Sequence, residues 1–97
     1  MGILTTDEVI RELRLDDDFD KVIIEEYIAE AASFLTVKTG HDFTKDSSID
    51  PLVKRAAKTY IRMQFADAEE SSKYGWSLDQ IIGDIQDELR LKACRQA

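Results

Sequence analysis

Apolar residues recur along this chain in four blocks, each at the three- and four-residue steps of a helix face. The first block is short, Val9, Ile10 and Leu13, and predicts a helix over residues 6–14. Thr5 and Glu8 have the spacing of a capping box: the hydroxyl accepts from a backbone N–H and the carboxylate reaches back. The second block, Ile24, Tyr27, Ile28, Ala31, Phe34 and Leu35, predicts a helix over residues 19–39. Asp18 or Asp20 suits its N-cap, and Gly40 suits the left-handed residue that closes it. Between these helices, Asp16, Asp17, Asp18 and Asp20 crowd their carboxylates, which favours a solvated turn.

Residues 41–49 read as a polar loop. Asp50-Pro51 then makes a strong helix start, because the N–H that proline lacks is unpaired at that position in any case. A third helix is predicted over residues 51–69, with Val53, Ala56, Ala57, Tyr60, Ile61, Gln64 and Ala68 on its inner face. Residues 71–76 read as a second loop, and Ser77 with Gln80 as another capping box. The fourth helix, predicted over residues 78–94, carries the cleanest stripe: Leu78, Ile81, Ile82, Ile85 and Leu89. Gly83 inside it costs about 1 kcal/mol against alanine, which suggests a close helix contact. No alternating run is long enough for a strand. The expected fold is all-α, a small bundle of about four helices with the two longer central ones antiparallel, in a single domain over residues 1–97.

Charge changes the picture. The net charge is −7, and residues 1–30 alone hold ten acids and three bases. A nucleic-acid binder normally presents a basic surface, so this balance argues against sequence-specific DNA binding. The one cysteine, Cys94, cannot form an intrachain disulfide, which fits a reducing compartment. The N-terminus lacks the basic and apolar regions of a signal peptide, and no apolar run approaches a membrane span, so intracellular synthesis is expected.

No constellation carries chemistry, and no enzyme, metal or cofactor is expected. The Asp16–Asp20 cluster lacks the glycine of a calcium loop. His41 beside Asp42 has no supporting nucleophile and reads as an exposed loop residue. Glu25, Glu26, Glu30, Glu69 and Glu70 lack the Glu-x-x-His spacing of a di-metal bundle and read as wet helix faces. Cys94 continues the fourth helix's stripe and reads as a small packing residue. Lys54, Arg55, Lys58 and Arg62 span two turns; they form either a solvated face or a contact for phosphate or an acidic neighbour. Tyr74 and Trp76 flank Gly75 in the second loop; they either close the core or anchor a partner.

The order of these elements resembles a known family. Glu8, Val9, Ile10, Leu13, Arg14, Leu15 and Asp16 precede an acidic turn. A long helix follows with Ile24, Ile28, Ala31, Phe34, Leu35, Thr39 and Gly40, and a later Pro-Leu-Val-Lys-x-Ala runs from Pro51 to Ala56. The pattern is similar to the small head–tail connector, or head-completion adaptor, proteins of long-tailed bacteriophages, over about residues 5–70. The resemblance implies a non-enzymatic virion protein that assembles in host cytoplasm as a ring of about a dozen copies. The ring would sit at the capsid–tail junction, join the portal protein to a downstream connector or tail protein, and surround the DNA channel. DNA would pass without sequence-specific binding.

On that reading, the acidic turn of Asp16, Asp17 and Asp18 either lines the channel, repelling phosphate, or docks on a basic portal surface. It could also meet the Lys54, Arg55, Lys58 and Arg62 face of a neighbouring subunit. The alternative from another class is a small acidic regulatory module on a basic site of a host protein, a possible DNA mimic. It predicts one acidic face continuous across helices. A helix-turn-helix DNA binder is a third reading, opposed by the charge.

Overall fold

The computed structural model describes residues 3–16, 20–46 and 48–96. It contains α1 (Thr6–Leu13), α2 (Lys21–Thr39), a short 3-10 turn (Phe43–Lys45), α3 (Pro51–Phe65) and α4 (Ala68–Gln96). Among the described residues there is no strand. The molecule is the small all-α bundle that the periodicity predicts.

Local chemistry sets most helix boundaries. At α1 the capping box forms in both directions: the Glu8 N–H donates to Thr5 Oγ1 and the Thr5 N–H to Glu8 Oε1, each at 3.1 Å. Arg14 closes α1 in the left-handed conformation. Asp20 caps α2, accepting from the Val22 N–H at 2.9 Å, and Gly40 ends it at φ 77°. Asp50 caps α3, accepting from the Leu52 N–H at 2.8 Å, with Pro51 in the first turn.

The boundary between the last two helices differs from the expectation. α3 stops at Phe65, and α4 begins at Ala68, ten residues before the predicted start. Ala66 is extended (φ −88°, ψ 157°). Asp67 then caps α4: its Oδ1 accepts from the Glu70 N–H at 2.9 Å and its carbonyl from the Ser71 N–H at 2.8 Å. Glu69 and Glu70 thus lie at a helix N-terminus, where the dipole favours them, rather than at a C-terminus, where it does not. The predicted loop over residues 71–76 is therefore helical, and the Ser77–Gln80 capping box does not form, since both residues are helix interior.

The helices pack antiparallel in sequence order. Tyr27, early in α2, stacks on Phe65, late in α3, at 5.2 Å between ring centroids; Phe34 meets Tyr60 at 4.8 Å. A two-residue link turns α3 back along α4, so Arg62 lies over Tyr74, while Val53 shares a groove wall with Ile85 and Leu89. One core results. It joins Ile24, Ile28, Ala31 and Leu35 of α2 to Val53, Ala56, Ala57 and Ile61 of α3 and to Leu78, Ile81, Ile82 and Ile85 of α4.

Some predicted inward positions change. Gln64 is exposed and Met63 half-buried in its place, and Ala68 belongs to α4. Ile3 and Leu4, which precede the predicted first helix, and Phe43, from the loop read as polar, join the core. Leu4 and Val9 hold the two positions of a hydrophobic staple around Thr5, and both are buried. Gly83 faces open space, so no helix contact inside the subunit explains it.

Candidate interaction surface

The basic residues of α3 follow from its start. With Pro51 in the first turn, Lys54, Arg55, Lys58 and Arg62 occupy one broad face beside the core stripe. The fold brings this face against α1 and α4. Glu12, Lys54, Arg55, Lys58, Arg62 and Tyr74 line one groove.

Two of the four cations are already engaged. Lys54 Nζ reaches Glu8 Oε2 at 3.2 Å. Arg62 donates to Glu12 Oε1 at 2.7 Å and to the Glu12 carbonyl at 3.1 Å, and its guanidinium lies 5.7 Å from the centre of the Tyr74 ring. These contacts clasp α1 onto α3. Lys58 is half-buried and Arg55 exposed, and neither has an ion-pair partner among the described residues. The face is thus not wholly solvated: Lys54 and Arg62 are engaged within the subunit, and Arg55 and Lys58 are not.

The aromatic pair separates. Tyr74 lies within α4, half-buried in the groove wall. Trp76, two residues on, falls on another face of the helix and is 68% exposed. Neither lies in a loop. Asp16 is exposed just after α1, whereas Asp17 and Asp18 lie outside the described residues. His41 pairs with Asp46, its Nε2 lying 3.0 Å from both carboxylate oxygens. The residue as a whole is half-buried, and its side chain is 42% exposed. Asp42 instead caps the 3-10 turn, accepting from the Thr44 N–H at 3.1 Å. Cys94 is exposed, not packed.

The Glu8–Lys54 pair carries a pH dependence. Partial burial works against the Glu8 carboxylate. Hydrogen bonds from the Thr5 N–H and the Lys54 ammonium outweigh it and hold its pKa below the ordinary 4.5. A lowered folded-state pKa stabilises fully above the unfolded value, and that contribution is lost as pH falls through the folded one. Glu8→Gln keeps the capping geometry but removes the charge. It should cost about 0.5 kcal/mol at pH 7, the scale of a partly exposed pair. Urea unfolding of both proteins from pH 7 to 3 checks this: the gap should close below pH 4.5. A gap that does not narrow at all between pH 7 and 3 would contradict the assignment.

A second groove, of about 820 Å³, does not follow from the core stripes. Leu4, Ile28, Ala29, Ala32 and Val37 give it its apolar surface, and the hydroxyls of Thr5, Thr6, Ser33, Thr36 and Thr44 and the carboxylates of Glu25 and Asp42 also line it. The sequence signal was present in α2, which stays apolar or small well beyond its core stripe, through Val22, Ala29, Ala32, Ser33 and Val37. No helix is long and apolar enough to cross a membrane among the described residues.

The sequence matches, over residues 4–90, the family described as phage gp6-like head-tail connector protein. The matched span runs through Tyr74 and Trp76 and most of α4, further than the motif resemblance over residues 5–70. No curated protein and no solved structure matches it.

Proposed function

The chain belongs to the phage gp6-like head-tail connector family, and from that premise we propose that it is one subunit of a homo-oligomeric ring at the capsid–tail junction. Family membership makes it a structural component of the phage particle that meets other head and tail proteins. In the finer reading, about a dozen copies close a ring beneath the portal after assembly in host cytoplasm. The ring joins the portal to the next connector or tail protein, and DNA passes through it without base-specific contacts.

One observation supports a ring above other assemblies. The subunit carries two unlike, complementary patches: the groove with Arg55 and Lys58 unpaired, and the acidic N-terminal third with Asp16 exposed. Unlike patches on one chain generate head-to-tail contacts, and such contacts close into rings when the rotation permits. Lys58 and Arg55 of one copy are the receptors we assign to the Asp16, Asp17 and Asp18 turn of the next. Trp76 is the aromatic anchor of the assembly, and Tyr74 shapes the groove from within. The same acidic turn, where it faces the channel, repels DNA phosphate. The regulatory-module alternative needs an unbroken acidic face. Lys54 and Arg62 interrupt one by neutralising Glu8 and Glu12 between α1 and α3.

Mass by light scattering at several concentrations, with and without a matching portal protein, tests the reading. A ring is expected, either alone or once the portal is added. Lys58→Glu should lower the association constant roughly tenfold, a single charge reversal at an interface. A monomer that ignores the portal would sink the proposal.

A further inference from the structure

We propose that the last turns of α4 of one copy dock in the apolar α2 groove of the next copy. This rests on the ring reading above and names a contact within it.

The first observation is an unsupported end of α4. The core stripe of α4 stops at Leu89, yet the helix continues unbroken to Gln96. Every residue from Arg90 to Cys94 is exposed, Leu91 at 57%. Leu91 and Cys94 are three residues apart and share a face turned away from the core stripe. From Arg90 to Gln96 the sequence places Arg90, Lys92 and Arg95 and no acid, and the acids Asp87 and Glu88 lie one turn earlier. Arg90 has an ion pair, a long one of 3.9 Å to Asp87 with both side chains mostly exposed, and Lys92 has none among the described residues. The end of α4 is therefore a short cationic helix with one apolar edge and nothing to cover it.

The second observation is the groove. Its apolar lining runs along α2 from Ala29 to Val37, about 12 Å at helical rise. The seven residues from Arg90 to Gln96 span about 10 Å by the same measure. The acids that line it, Glu25 and Asp42, are opposite in sign to the cations of the α4 end. Hydrogen bonds from the Thr44 hydroxyl and N–H hold the Asp42 carboxyl below its ordinary pKa, so that acid is ionised. The lengths, the apolar surfaces and the signs of charge agree.

The occupant must be another copy. Gln86 Nε2 donates to the Lys38 carbonyl at 2.7 Å, which fixes α4 against the C-terminal end of α2. From there α4 is one continuous helix, which cannot turn back into its own groove. Each subunit thus offers an end and accepts one, the head-to-tail pattern that a closed ring requires.

The single native thiol makes the test direct. Ser33 lines the groove and is exposed, and Cys94 is on the donating helix end. Ser33→Cys protein, assembled with portal if portal is needed, is treated with a short bis-maleimide and run on a denaturing gel. A ladder of covalent multimers beyond the dimer is expected. The wild type and Ser33→Cys/Cys94→Ser carry one thiol each and should stop at the dimer. Assembled rings with no ladder would overturn this contact and leave the ring standing. Failure to assemble under any condition would overturn the ring and this contact together. As a second measurement, Leu91→Asp should weaken assembly roughly tenfold, the effect of one anchor residue. Its melting temperature should not change, since Leu91 has no place in the core. Unchanged assembly of Leu91→Asp would also overturn the proposal.

Discussion

Leu35→Ala is expected to remove about 2–5 kcal/mol of stability, the usual range for emptying a leucine site in a close-packed core. Leu35 is fully buried on α2 in the core shared with α3 and α4. Domains of this kind hold only about 5–15 kcal/mol in total, so the loss is a large share. At about 4–8 °C per kcal/mol for a domain near this size, the melting temperature should fall by roughly 10 °C or more. Urea unfolding followed by circular dichroism reads the change as a lower midpoint at constant slope. Val37→Ala, on the same helix but 82% exposed, is the control and should stay within about 0.5 kcal/mol. A Leu35→Ala loss below 1 kcal/mol would mean that α2 does not pack as described.

The second large effect concerns assembly. Trp76→Ala should weaken ring formation about 30-fold, near 2 kcal/mol, the threshold of an interface hot spot. The side chain is 68% exposed on α4, so the isolated subunit loses little when it is removed. Sedimentation or light scattering in a dilution series should show the loss, and thermal unfolding should not. Tyr74→Ala should behave the opposite way. Its ring sits under Arg62 in the groove wall, so removing it loosens the subunit itself. Full-strength assembly by Trp76→Ala would remove that residue from the interface.

The parts of this fold that were legible in the sequence are those governed by short-range chemistry. Thr5 with Glu8, Asp50 with Pro51, and Gly40 each act within four residues, and each sets its boundary as expected. The α2 and α4 stripes were legible because one strong period ran through them. The start of α4 was misplaced because two signals competed there. Ser71, Ser72 and Gly75 look like a loop, but Asp67 with Glu70 is a capping pair, and the pair won. The Asp67 side chain satisfies the Glu70 N–H at the helix start, whereas serine and glycine inside a helix only weaken it. Leu4 and Phe43 were missed for another reason. Both lie outside any periodic run, and only the tertiary surface decides that they are covered.

The candidate surface was half legible. The spacing of Lys54, Arg55, Lys58 and Arg62 put them on one face, but the clasp by Glu8 and Glu12 joins residues 46 and 50 apart in sequence. No local pattern carries that information. The separation of Tyr74 from Trp76 depends likewise on the helix start ten residues earlier than read, because only in a helix do neighbours two apart point to different sides.

The distance along the chain between α2 and its covers has a consequence during synthesis. Lys38 and Gln86, which meet in the folded subunit, are 48 residues apart. At translation rates of about 5–20 residues per second, α2 leaves the ribosome roughly 2–10 seconds before the part of α4 that packs on it. Through that interval α2 has only α1 and then α3 to cover it, and the side that α4 covers stays open. The α3–α4 hairpin, joined by two residues, has no such wait and closes as soon as it emerges. Ribosome pausing after α2 should therefore favour aggregation of this chain more than pausing anywhere else along it.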